Sequence, residues 1–205
     1  MAIIIFVRHG QGYNNVEKIL SHDNDKYPLT SEGIEQAKRV AEELKKIRIS
    51  SIFTSPVLRA YQTAVIIGKE LNLTPIIDER LRERNLGNLN NKKIDLNNNW
   101  RLKLYKREHD FKDIETWDQL KRRINDFINF IKFDKNIVVA VTHYDPIRAF
   151  VASILGLGEI ESWGLCISNC SLTIAICEDK CNILSIGSPL ITSNVLSILN
   201  NYIIR

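Results

Sequence analysis

Two short, unbroken apolar runs, Ile3 to Val7 and Ile137 to Val141, each end on a histidine motif: Arg8-His9-Gly10 after the first, Thr142-His143 after the second. A strand open to water on one face alternates apolar with polar residues, whereas a continuous run fits a strand covered on both faces inside a parallel sheet. Amphipathic stretches separate these runs. Thr30 or Ser31 can cap a helix whose apolar positions Ile34, Ala37, Val40, Ala41, Leu44 and Ile47 recur at three and four residues. Ile52 to Thr54 reads as a further strand, with Ser55 as a cap, Pro56 at the first helical position and Ala60, Ala64, Ile67 and Leu71 on one helix face. Pro75 to Ile77 reads as a strand, and a helix is expected around Trp100 to Tyr105. Trp117, Leu120, Ile124, Phe127, Ile128 and Ile131 mark another helix, and Pro146 opens the next. Residues 165–186 favour a hairpin; the tail from Asn194 to Ile204 suits a helix or an edge strand. The alternation predicts an α/β fold, a three-layer α/β/α sandwich around a mostly parallel sheet.

With 205 residues and no low-complexity linker, a single domain over 1–205 is expected. No apolar run approaches the roughly 20 residues that cross a bilayer, and the N-terminal run is too short for a signal peptide, so the expectation is a soluble, cytoplasmic protein without a membrane partner. Cys166, Cys170, Cys177 and Cys181 lack the spacing of common zinc sites. They fit small buried hydrophobes on alternating strands; if Glu178 to Lys180 forms a hairpin turn, Cys177 and Cys181 face each other and a structural disulfide becomes available. The net charge of +4 is unevenly spread: residues 80–112 carry ten Lys or Arg against four Asp or Glu, and the rest of the chain 18 against 20. That segment is either a solvated face or a basic cover over an anionic substrate. No aromatic-interleaved basic stripe points to nucleic acid.

His9 and His143 follow the carboxyl ends of two expected strands, and Arg59 lies on the first turn of the helix after a third. In open α/β sheets those ends converge on one crevice. Two imidazoles and the forked donors of Arg8 and Arg59 suit a phosphate dianion there. Gly10 lets the backbone approach the anion, and the Ser55-Pro56 helix start turns N–H groups to the same side.

The run Arg8-His9-Gly10-Gln11-Gly12-Tyr13-Asn14-Asn15 resembles the R-H-G-x-S/T-x-x-N signature of the histidine phosphatase superfamily, which includes the cofactor-dependent phosphoglycerate mutases. Four further blocks follow in that family's order. They are Leu29-Thr30-Ser31-Glu32-Gly33 with Gln36-Ala37; Thr54-Ser55-Pro56 through Arg59-Ala60 to Gln62-Thr63-Ala64; Leu81-Arg82-Glu83; and Val141-Thr142-His143. The resemblance implies that His9 attacks phosphorus and becomes a phosphohistidine, while Arg8, Arg59 and His143 offset charge on the transferring oxygens. It implies that Glu83 protonates the leaving oxygen and later deprotonates the attacking water, that Asn15 contacts the phosphate, and that no metal is required. Gly12 stands where the family has Ser or Thr, and Tyr144 where a small residue is common. His22 and His109 read as surface histidines, and Glu115 receives no role.

Within that family the choice lies between hydrolysis and return of the phosphoryl group. Glu83-Arg84-Asn85-Leu86-Gly87-Asn88-Leu89 partly matches the mutase run E-R-x-Y-G-x-L, but Leu86 replaces the Tyr, Asn91 a later Gly and Ile94 a Lys. With a short stretch between Glu83 and His143, the sequence favours a phosphomonoester phosphatase on a small phosphorylated metabolite, without a cofactor. A phosphoglycerate mutase, using 2,3-bisphosphoglycerate as phosphoryl donor, is second, and a noncatalytic phosphate-binding module third. The sequence leaves a homodimer open.

Overall fold

Along the first strand, β1 (Ala2–Arg8), side chains divide between two interiors, which is why no polar residue interrupts the run. Ile3, Ile5 and Val7 enter one core with Ala37, Val40, Leu44, Ala60, Ile67 and Leu199. Ile4 and Phe6 enter the other, with Leu120, Ile124, Phe127, Ile147 and Phe150. The computed structural model describes residues 2–93, 100–106, 112–132 and 136–203.

In chain order the elements are β1, a short α1 (Tyr13–Val16), α2 (Ser31–Leu44), β2 (Ser51–Thr54), α3 (Leu58–Leu71), β3 (Ile76–Ile77), α4 (Trp100–Lys106), α5 (Trp117–Ile131), β4 (Ile137–Thr142), α6 (Tyr144–Leu155), β5 (Leu172–Cys177), β6 (Cys181–Ser188) and α7 (Ser193–Ile203). Single 3-10 turns lie at Glu79–Leu81, Gly87–Leu89 and Glu161–Gly164. The sheet runs β3-β2-β4-β1-β5-β6. β3, β2, β4 and β1 are parallel neighbours, and β5 and β6 complete the sheet antiparallel, so the sheet is mixed with a parallel majority. Helices α2, α3 and α7 cover one face and α5 and α6 the other, giving three layers.

The expected caps hold for α2, where Thr30 Oγ1 accepts the Gly33 N–H at 3.0 Å, but not for α3. That helix starts at Leu58, and its early donors go to Asn24 and Val57 carbonyls, so they are not turned to an anion. The tail is helical. β5 and β6 form the hairpin, with Cys177 opposite Cys181 and a disulfide between them. Cys170 is buried, but Cys166 is exposed, against its reading as a buried hydrophobe. Among the described residues no helix is long and apolar enough to cross a membrane.

Candidate active site

The register places Arg8 beside Thr142 and Thr54 beside Val141, so β1, β4 and β2 end side by side and deliver His9, His143 and Ser55 to one edge of the sheet. α3 adds Arg59 from its first turn. The His9 and His143 ring centres lie 5.0 Å apart, with the Arg59 guanidinium between them. His9 and Arg59 are almost fully buried, and His143 is wholly so.

Hydrogen bonds fix both imidazoles. His9 Nδ1 lies 2.7 Å from the Gly10 carbonyl oxygen, which can only accept, so Nδ1 carries the proton and Nε2 the lone pair. Arg59 Nε donates to that lone pair at 3.0 Å. Arg59 Nη2 donates to His143 Nδ1 at 3.2 Å and to the Ser21 carbonyl at 2.8 Å, so His143 bears its proton on Nε2 and donates it to Ser55 Oγ at 2.8 Å. Ser55 braces His143 rather than capping a helix. Burial first, then the charges of Arg59 and Arg8, hold His9 well below the usual imidazole range. Burial and Arg59 do the same for His143. Both rings are neutral near pH 7, and a neutral His9 is a nucleophile. Arg59, lowered by burial to about 10, keeps its charge.

Two guanidinium N–H groups in this cluster have no partner: Arg59 Nη1 and Arg8 Nε are buried without a hydrogen bond. An unpaired buried donor is costly, and a phosphate oxygen would satisfy each. Arg8 is otherwise held by its Nη1 bond to the Ile167 carbonyl at 2.7 Å. Asn15 lines the same pocket, a cavity of about 300 Å³ that also takes Lys18, Glu83, Arg101, Tyr144 and Asp145 into its walls.

Glu83 accepts the Arg84 N–H at Oε1, and its Oε2 stands 4.0 Å from His143 Nδ1. Burial, reinforced by the neighbouring Asp145 carboxylate, pushes Glu83 up to about 7, against the lowering effect of Arg59. A carboxyl with that value can hold a proton near neutrality and also give it up.

The loop carrying His9 is clamped by residues from the motif blocks. Gly10 N–H donates to Thr63 Oγ1, Gln11 N–H to Gln36 Oε1 and Leu29 N–H to Gln62 Oε1. Gly10 does not line the pocket; a Cβ there would meet the Gly33 carbonyl oxygen at 2.5 Å, so its glycine serves packing of the loop on α2 rather than approach of an anion. His22 is not a surface residue: half-buried, it accepts the Leu86 N–H on Nδ1 at 3.0 Å and ties the cover to the floor. Of the basic segment, Leu86, Arg101 and Leu104 line the pocket, whereas Lys92 and Lys93 are exposed away from it. Residues 94 and 109 lie outside the described residues, as does the side chain of Lys103.

Several residues here carry no sequence motif that singles them out. Glu115 grips Arg123 with both carboxylate oxygens, and Arg123 Nη1 donates to the Arg80 and Arg82 carbonyls, holding the turn that presents Glu83. Arg148, fully buried over the Trp117 ring at 4.5 Å, donates twice to Asp145 Oδ1. Only the i,i+3 spacing of Asp145 and Arg148 on one helix could have signalled the second pair.

A neutral histidine nucleophile, an arginine-lined anion site and a carboxyl poised near pH 7 at the carboxyl edge of this sheet define an enzyme of phosphoryl transfer. The chain belongs to the histidine phosphatase superfamily (branch 1), whose family model matches residues 4–186. It is 38% identical over 206 residues to the 2,3-bisphosphoglycerate-dependent phosphoglycerate mutase of Thermoplasma acidophilum, covering 98% of this chain and 99% of the relative. Among solved structures it resembles a mycobacterial glucosyl-3-phosphoglycerate phosphatase in complex with VO3 (TM-score 0.78, 24% identity, 91% of this chain and 98% of the other). It also resembles an Entamoeba histolytica phosphoserine phosphatase mutant in complex with phosphoserine (TM-score 0.79, 21% identity, 92% and 98%). These two likenesses are of fold. The superfamily therefore holds for this chain, with mutases and phosphatases both among the proteins it resembles.

Proposed function

We propose that the protein moves the phosphoryl group of a small phosphorylated hydroxy acid through a phosphohistidine at His9, acting as a bisphosphoglycerate-dependent phosphoglycerate mutase. The observation that carries the transfer step is the His9 Nδ1 bond to the Gly10 carbonyl, which leaves the Nε2 lone pair facing a pocket with two unpaired guanidinium N–H groups. Phosphorus takes the position that Arg59 Nε now fills against that lone pair, and Arg59 and Arg8 turn their donors to its oxygens. The bond from phosphorus to the ester oxygen breaks as the bond to Nε2 forms, and Glu83 gives its proton to the departing oxygen. The dianion reverses the balance at His143, favouring its protonation and a further hydrogen bond to the phosphoryl group. The same pocket fits a bisphosphorylated donor, which would supply the phosphoryl group that first charges His9.

Return of the group, rather than its loss to water, rests on the identity with the Thermoplasma mutase along nearly the full length of both chains. Lys18 and Arg101 in the pocket wall suit a carboxylate beside the ester. A second reading, phosphomonoester hydrolysis, has its own observation. Glu83 also lines a broad groove of about 650 Å³ with Arg82, Glu115, Gln119 and Arg123, and that groove leads solvent to the acid from its other side. Incubation with 3-phosphoglycerate and a trace of 2,3-bisphosphoglycerate separates the two. Formation of 2-phosphoglycerate well ahead of inorganic phosphate supports the mutase; release of phosphate without isomerisation establishes the hydrolase instead.

A further inference from the structure

The segment leading into β5 holds the reactive residues from behind. Arg8 N–H donates to the Ser171 carbonyl at 3.3 Å, and Cys170 N–H donates to the Arg8 and His9 carbonyls at 2.9 and 3.3 Å. Cys170 takes a left-handed φ of 53°, uncommon for a residue with a side chain. One side chain of this stretch reaches forward. Asn169 Nδ2 donates to the His9 carbonyl at 2.9 Å and to Asn15 Oδ1 at 3.3 Å.

Asn15 Oδ1 accepts a second donor, the Gly12 N–H at 2.9 Å. A carboxamide presents an acceptor at one end and two donors at the other, and a half-turn exchanges them. With both N–H groups on Oδ1, the Asn15 amide is committed: Nδ2, which has no acceptor among the described residues, is the end left for an anion in the pocket that Asn15 lines. The reversed amide would set an oxygen lone pair against phosphoryl oxygens.

We propose that Asn169 is a positioning residue that locks the Asn15 amide with its N–H groups toward the phosphoryl oxygens and ties that amide to the carbonyl of the nucleophile. The inference rests on the reading of this pocket as a phosphoryl site. It makes Asn169 responsible for anion affinity without touching the anion.

Competitive inhibition by inorganic phosphate reads this directly, with Asn169→Ala and Asn169→Asp made in the wild-type protein and in Asn15→Ala. In the wild-type background the inhibition constant should rise about five- to twentyfold for Asn169→Ala, the worth of one hydrogen bond to a charged group. Asn169→Asp, similar in size but without a donor, should do at least as much. With Asn15 already Ala, the same changes should add less than about twofold, because Cys170 N–H still holds the His9 carbonyl. Equal rises in the two backgrounds, or an unchanged constant in the single variants, overturn the proposal. A wild-type protein that binds no phosphate would instead remove the phosphoryl-site reading, and this inference with it.

Discussion

At the scale of single residues, the chemistry turns on what burial does to charge. The same desolvation that holds His9 neutral as a base holds Glu83 neutral as an acid, because burial disfavours whichever form is ionised. Glu83 is pushed up to about 7 by burial and then by Asp145. With a folded pKa above the unfolded one, its contribution to stability is greatest below about pH 4.5 and is lost as pH rises to 7. Relative to wild type, Glu83→Gln should therefore gain stability in urea melts as pH is raised from about 5 to 8. It should also cut kcat on alkyl phosphates about 10²- to 10⁴-fold, and cut it far less on p-nitrophenyl phosphate, whose leaving group needs no proton. Asp145→Asn removes the like charge beside Glu83 and should move the basic limb of the rate profile to lower pH; an unmoved limb would deny Asp145 that influence.

At the scale of elements, strands and catalytic groups are legible in the sequence for different reasons. β1 and β4 declare themselves because burial on both faces demands unbroken apolar runs, and His9 and His143 because they stand where those runs stop. Arg59 is legible from the short helix start after β2, although the side chain expected to cap that helix, Ser55, braces His143 instead. The supports of Glu83 are not legible. Arg123, Glu115, Arg84 and Glu159 sit in separate stretches, each looks like an ordinary surface charge, and only the tertiary fold pairs them. Arg84 and Glu159 meet at 2.6 Å with side chains 3% and 8% exposed. Breaking that pair by Glu159→Leu leaves a buried guanidinium unmatched and should cost about 3–5 kcal/mol, whereas the double change Arg84→Met with Glu159→Leu should cost much less. Equal losses in denaturant melts of the two proteins would show that the pair is not coupled.

At the scale of the whole molecule, the sheet order brings β2, β4 and β1 together and leaves the antiparallel β5–β6 hairpin at one edge, remote from the reacting groups. The hairpin is foreseeable from the turn residues between Cys177 and Cys181, and the disulfide follows from their facing positions. So short a closed loop constrains the unfolded chain little, and reduction should lower stability by about 2 kcal/mol, without changing activity. The parallel half of the sheet has a different task, since it sets His9, Arg59 and His143 around one anion. The most direct test of that arrangement is to mix the protein briefly with a ³²P-labelled phosphomonoester, quench in alkali and map the label by mass spectrometry. Acid-labile, alkali-stable phosphate on His9, lost in His9→Ala, is the predicted result; label on another residue, or none while substrate is turned over, would contradict it.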